Sequence, residues 1–139
     1  MVSEARSRNM SKIRHRDTKV ELRLRKALWK RGLRYRKNFS QVYGRPDVVL
    51  TKAKIAIFCD SEYWHGKKFL AGEIPKTNTD FWVNKFETNI SRDKDVNKVL
   101  WESGWIVLRF WEKDIYKKLD AIVSLIEKVN TLRTTDKLL

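Results

Sequence analysis

Two aspartates bracket a stretch of chain that reads as a β-hairpin. Asp47 stands at the start of one predicted strand, Val48 to Leu50, and Asp60 just past the end of the next, Ile55 to Cys59. Lys52, Ala53 and Lys54 turn the chain between them, which sets Leu50 opposite Ile55 and brings Asp47 toward Cys59 and Asp60. Two carboxylates meeting at one end of a sheet can hold a hard cation such as Mg²⁺. Such a cation polarises a phosphodiester and lowers the pKa of a bound water. The plainer alternative is that Asp47 caps a turn and Asp60 ends a strand in solvent. Glu62, Tyr63, Trp64 and His65 follow directly. A carboxylate and an imidazole beside a metal can activate water or protonate a leaving oxygen. Tyr63 and Trp64 are adjacent in a predicted loop and cannot easily both face a core, so one or both can stack on bases or wedge between them. The competing role is that Trp64 closes the core and His65 lies on the surface. Glu21 also has two readings: capping-box spacing with Thr18 accounts for it, and a carboxylate there can also project toward the Asp47 cluster.

The elements that must position these residues follow from periodicity. Thr18 opens a helix whose apolar face is Val20, Leu24, Ala27 and Leu28, and Gly32 stops it. Leu33 to Arg36 reads as a short strand. The continuous apolar runs Val48–Leu50 and Ile55–Cys59 read as buried strands, the first preceded by Gly44-Arg45-Pro46-Asp47. Residues 60–78, which hold Gly66, Gly72 and Pro75, are expected to be irregular. A helix is predicted from near Thr79 to before Gly104, with Trp82, Phe86, Ile90, Val96 and Leu100 on its apolar side. Trp105 to Phe110 is predicted as a strand, and Ile115 to Val129 as a closing helix. Trp29, Trp101 and Trp105 fall in periodic segments and read as packing; Trp111 at a strand end is open. This order suits a mixed β-sheet flanked by α-helices, an α/β fold. Residues 1–16 form a basic arm with Arg6, Arg8, Lys12, Arg14, His15 and Arg16. Residues 17–130 form a single domain and 131–139 a C-terminal tail.

Lys and Arg number 31 against 17 Asp and Glu, a formal net charge of +14. That exceeds the roughly 2–8 charges that suffice for solubility and favours a polyanionic partner, nucleic acid first and an anionic membrane surface second. No apolar run approaches the ~20 residues needed to span a bilayer. The polar N-terminus carries no signal-peptide stretch. The single cysteine, Cys59, cannot form an internal disulfide or supply a multi-cysteine zinc site, so a reducing cytosol is the plain expectation.

Taken in order, several motifs resemble the very short patch repair (Vsr) endonucleases, a branch of the PD-(D/E)XK nuclease superfamily. They are Arg8-Asn9-Met10-Ser11 with Ile13, Asp17-Thr18 with Glu21, Gly44-Arg45-Pro46-Asp47, and Phe58 through Trp64-His65. Phe81-Trp82 with Lys85, Asn89, Arg92 and Asp93, and Gly104-Trp105 with Trp111-Glu112, complete the set. The resemblance implies a restriction-endonuclease-like fold and Mg²⁺-dependent hydrolysis of one strand of double-stranded DNA. The cut lies 5′ to the thymine of a T:G mismatch left by deamination of 5-methylcytosine. By the same resemblance Asp47 and the backbone carbonyl of Cys59 contact the metal, His65 is a catalytic histidine and Glu21 an active-site glutamate. Tyr63, Trp64 and Trp82 match aromatics that intercalate at the mismatch, and Asn89 and Asp93 match polar positions on the helix flanking the site. Met10, Arg14, Arg45, Lys85 and Arg92 complete the expected DNA contacts. The expected protein is a monomer acting in the cytoplasm at the nucleoid, with mismatch-repair proteins as partners.

The sequence departs from the family pattern twice. The positions that hold a structural zinc in the main branch read Glu62, Lys67, Phe69 and Lys113, so no zinc is expected, and Phe69 and Leu70 are expected to hold the loop by packing. Asp60 stands where the main branch has a second catalytic histidine. Asp60 is therefore expected as a second metal ligand beside Asp47, with Glu62 or His65 handling the proton, although Glu62 can instead point outward and fill a lost cysteine position. Two alternatives stay open: a related nuclease with a restriction-like, homing or junction substrate, and a catalytically silent DNA-binding module. The net charge is then expected around the acidic pocket, on the arm and on Arg23, Arg25, Arg45, Lys67, Lys68, Lys76, Lys85 and Arg92.

Overall fold

A computed structural model describes residues 18–37, 40–62, 67–74 and 76–135. The first helix, α1 (Lys19–Lys30), begins where Thr18 caps it: the Glu21 N–H donates to Thr18 Oγ1 at 3.4 Å. Its buried face is Val20, Glu21, Leu24, Arg25 and Leu28, so two charged residues share the apolar stripe. Strands β1 (Arg36–Lys37), β2 (Val48–Leu50) and β3 (Ile55–Asp60) follow, then the short helix α2 (Lys67–Leu70) and the long α3 (Thr79–Glu102). Strand β4 (Ile106–Trp111) and helices α4 (Glu112–Lys117) and α5 (Leu119–Thr135) end the described chain.

The sheet order is β1-β2-β3-β4. β1, β2 and β3 run antiparallel, and β4 lies parallel to β3 after the α3 crossover. Leu50 pairs with Ile55, the register expected from the hairpin turn. Alternation along the strands gives the sheet two buried faces. One carries Val48, Leu50, Ile55 and Ile57 against α1, α4 and α5 through Leu24, Leu28, Ile115, Ile122, Val123 and Ile126. The other carries Val49, Ala56 and Phe58 against Val96 and Leu100 of α3. The result is helices on both faces of a mixed sheet, an arrangement in which each fully buried Leu or Ile contributes roughly 1.5–3 kcal/mol.

Several expectations shift. The first strand is Arg36–Lys37 rather than Leu33 to Arg36, with Leu33 buried in the core instead. The closing helix is two helices, and the second runs to Thr135. Residues 131–135, assigned to a tail, continue this helix, and Arg133 ties it to two turns beside the sheet: it donates from Nε to the Ala53 carbonyl at 2.9 Å and from Nη2 to the Gly104 carbonyl at 2.6 Å. Trp29 and Trp101 are not core. Trp101 is 70% exposed, and Trp29 lies on the surface with the Arg34 guanidinium 3.6 Å above its ring.

Candidate active site

Asp47 is fixed by extension of the β2–β3 ladder. Its N–H donates to the Ile57 carbonyl at 3.0 Å, and its Oδ2 accepts the Cys59 N–H at 2.7 Å. The turn just before it, at Gly44 and Arg45, sets its approach. Gly44 and Arg45 both have positive φ, +80° and +49°, and Tyr43 ties this turn to α3 by donating to Asp95 Oδ2 at 2.6 Å. From the opposite side, Glu21 on α1 meets Asp47 carboxyl to carboxyl. Glu21 is buried and paired with Arg25, Nη2 to Oε2 at 3.0 Å. The Glu21 backbone thus takes part in the helix cap while its side chain turns to Asp47.

Burial pushes the Asp47 carboxyl up to about 7; the Glu21 charge and hydrogen bond and the Asp60 charge add to this, and the Cys59 N–H partly offsets it. Burial, with the charges of Asp47, Glu21 and Asp60, also pushes the Cys59 thiol far up. That sulfur stays a neutral thiol rather than a nucleophile.

Asp60 projects from the end of β3 onto the α3 face. Both its carboxylate oxygens face Arg109 of β4, whose Nη1 lies 3.1 Å from Oδ1 and 3.2 Å from Oδ2. The same guanidinium donates from Nε to Asn97 Oδ1 at 2.7 Å, has Asp93 Oδ1 at 3.6 Å and lies 4.0 Å over the Phe58 ring. Asp60, expected as a second metal ligand, is thus already engaged by an arginine. Arg109 was not anticipated. The available signal was a lone arginine inside the apolar strand Ile106–Trp111, a placement that requires an anionic partner.

A groove of about 490 Å³ opens at this end of the sheet between the Gly44-Arg45 turn and α3. Arg45, Asp47, Cys59, Asp60, Lys85, Asn89, Arg92 and Asp93, all expected at the site, line it together with Arg109. Asn89 and Asp93 share one face of α3, as their spacing requires. Trp82 stacks on Phe86 with ring centroids 5.7 Å apart, outside the groove lining. Met10, Arg14, Tyr63, Trp64 and His65 lie outside the described residues. Arg25, expected among the surface charges, is buried against Glu21, and Arg23 faces the Tyr116 ring at 5.2 Å.

Glu62 serves a structural bond. Its Oε1 accepts the Lys113 N–H at 2.7 Å in the first turn of α4, a helix whose own N-cap, Trp111, supplies no side-chain bond. Nearby, the Lys67 ammonium lies 5.5 Å from the Trp111 ring. Leu70 is 62% exposed and does not hold the loop by packing as expected; the side chain of Phe69 is outside the described residues. Glu62→Ala is therefore expected to destabilise the protein by about 1 kcal/mol, the usual worth of a helix cap, with Glu62→Gln keeping the bond and most of the stability. Equal destabilisation by the two substitutions in thermal unfolding would show that this bond does not hold α4.

The donor set suits a hard divalent ion. Asp47 is an anionic oxygen crowded by Glu21 and Asp60, a repulsion that a cation relieves, and the adjoining donors are oxygen. Among the described residues no three His, Cys, Asp or Glu side chains gather as a metal cage. The remaining positions would fall to backbone carbonyl and water, as Mg²⁺ accepts.

A mixed sheet between helices, with carboxylates at one end of its central strands facing a basic groove, is a restriction-endonuclease-like arrangement. Residues 1–71 match the family described as DNA mismatch endonuclease Vsr. The type II nicking enzyme V.HpaIIP of Haemophilus parainfluenzae is 46% identical over 116 residues, 83% of this chain and 82% of that protein. The type II nicking enzyme V.NaeI of Lentzea aerocolonigenes is 39% identical over 136 residues, 94% of this chain and 80% of the relative. DNA mismatch endonuclease Vsr of Escherichia coli K12 is 38% identical over 107 residues, covering 77% and 69%. The chain belongs to the Vsr family of DNA endonucleases. It is thus a hydrolase acting on DNA, and membership implies a divalent metal ion. The silent-module alternative falls with this. Among the described residues no helix is long and apolar enough to cross a membrane.

Proposed function

We propose that this endonuclease nicks one strand of duplex DNA 5′ to the thymine of a T:G mismatch, with Mg²⁺, in the repair of deaminated 5-methylcytosine. The observation that carries the reading is the groove in which Arg45, Lys85, Arg92 and Arg109 surround the carboxylate of Asp47. The relatives support it: one is named a DNA mismatch endonuclease and others nicking enzymes. Asp47 and the Cys59 carbonyl would hold the ion, which when bound neutralises charge on the scissile phosphate and acidifies a water. Glu21 supports Asp47, and Arg25 balances the Glu21 charge. With Glu62 engaged by the Lys113 N–H, His65 is the residue proposed to move the proton. Tyr63 and Trp64 are proposed to enter the duplex and replace stacking lost at the mismatch, and Trp82 to act from α3. We propose further that the protein works as a monomer in the cytoplasm at the nucleoid, alongside mismatch-repair proteins, and holds no structural zinc because Glu62, Lys67, Phe69 and Lys113 offer neither thiolate nor imidazole.

Cleavage of T:G-mismatched, matched and branched duplexes with Mg²⁺ tests this. The expected result is nicking of the T:G duplex at least about tenfold faster than the matched one, since a mismatch spares more than about 1.4 kcal/mol of unstacking, with Asp47→Ala inactive. Equal cutting of matched DNA removes the mismatch assignment, and preference for the branched duplex transfers the enzyme to junction substrates. Metal analysis of the purified protein should find no stoichiometric zinc.

A further inference from the structure

We infer that Arg109 is a phosphate-binding residue of the cleavage groove, holding a DNA phosphate oxygen with the part of its guanidinium that the protein leaves unused. A guanidinium has five N–H donors in a planar fork. The Nε–H goes to Asn97 Oδ1 at 2.7 Å, and Nη1 serves both oxygens of Asp60 at 3.1 and 3.2 Å, with Asp93 Oδ1 at 3.6 Å. The Phe58 ring backs the guanidinium at 4.0 Å. These partners come from β3 and α3 and hold the fork from the sides and from behind. Among the described residues no acceptor meets Nη2.

Donors left bare in a sealed interior are costly, but this side chain is 17% exposed and lines the groove beside Asp47 and Arg92. The unused donors therefore have access to whatever fills the groove. The substrate class is DNA, and the acceptor it brings there in quantity is the phosphate oxygen, which matches the guanidinium fork in charge and geometry. A charge whose only task was to neutralise Asp60 would need neither the Asn97 bond nor the Phe58 backing. Those two contacts fix the orientation of the plane, as a directional ligand contact requires.

This inference rests on the DNA substrate and not on the mismatch preference or the metal, so it is tested on matched duplex in EDTA. Arg109→Gln alone strands Asp60 without its cation and endangers the fold. The test therefore compares Asp60→Asn with Asp60→Asn/Arg109→Gln, measuring binding between 50 and 200 mM salt. Removing one phosphate contact is expected to make the slope of log affinity against log salt about 0.9 shallower in the double variant than in Asp60→Asn. Identical slopes in two folded variants overturn the inference. Arg109→Lys keeps a charge opposite Asp60 and guards against a folding defect. It is expected to bind about tenfold more weakly at 150 mM salt, the worth of one charge-assisted bond, and wild-type affinity there overturns the forked contact.

Discussion

Replacing Asp47 by asparagine is expected to abolish nicking and, at the same time, to stabilise the metal-free protein above pH 7. The two effects share one cause. The Asp47 carboxyl is pushed from its ordinary 3.8 up to about 7, mainly by burial and then by Glu21 and Asp60. The folded chain therefore holds this proton more tightly than the unfolded chain. The corresponding stability is present in full below about pH 4 and is lost as pH rises through about 7. Asparagine carries no charge at any pH and can still accept the Cys59 N–H that Asp47 accepts at 2.7 Å. At pH 8 without metal the variant should be more stable by about 2 kcal/mol, part of what a shift of this size implies, and at pH 4 the two proteins should coincide. Adding Mg²⁺ should raise the wild-type melting temperature more at pH 8 than at pH 5, where the proton competes for the same oxygens. The nicking rate of the variant should fall by about 10³-fold or more, comparable to the loss of a central electrostatic group elsewhere. Thermal unfolding from pH 4 to 8 with and without the ion checks the first part, and single-turnover nicking the second. A variant no more stable than wild type at pH 8 would mean that Asp47 carries no strain for a cation to relieve.

How much of this was readable beforehand depended on the range of the interactions. The hairpin was legible because turn chemistry at Lys52–Lys54 and two apolar runs act locally, and they alone set Leu50 opposite Ile55 and Asp47 beside Cys59. The long helix α3 was legible for the same reason, its start and stop marked by Thr79 and Gly104. The tryptophans were not. Trp29 and Trp101 sit next to buried Leu28 and Leu100, and helical periodicity cannot say how far a covering element extends around the helix. Arg109 was missed because Asp60, Asp93 and Asn97 reach it from other elements. Glu62 gave competing readings because its partner is a backbone N–H on α4, a group that sequence does not distinguish from any other. The residues carrying oxygen donors were thus visible as a type, while their division into a buried carboxyl at Asp47 and an arginine-paired carboxylate at Asp60 required the packed α3–β4 contact.

The Gly44 turn shows how tightly that division is held, and Gly44→Ala should be the most damaging small substitution near the site. Gly44 has φ of +80°, and a Cβ there would lie 2.5 Å from Val96 Cγ1, which is itself buried in the α3-facing core. The left-handed backbone costs an alanine about 1–2 kcal/mol, and forcing a methyl into packed core costs about 1–3 more. Gly32 provides the control, with φ of +81° and nothing within 4 Å of an added Cβ. Gly32→Ala should therefore lose only the conformational part, about 1 kcal/mol, and Gly44→Ala about 3. The activities should separate further. Relief of the Val96 clash moves the turn that carries Arg45 and Asp47, and small displacements of positioned groups cost up to about 10²-fold in rate, whereas Gly32 follows α1, at the end away from Glu21. Adding Val96→Ala to Gly44→Ala removes the crowding and should recover most of the nicking without recovering full stability, because the φ strain remains and a buried methyl pair is gone. Equal losses in the two glycine variants, or no recovery in the double variant, would show that the turn tolerates displacement and that Asp47 is placed by the β2–β3 ladder alone.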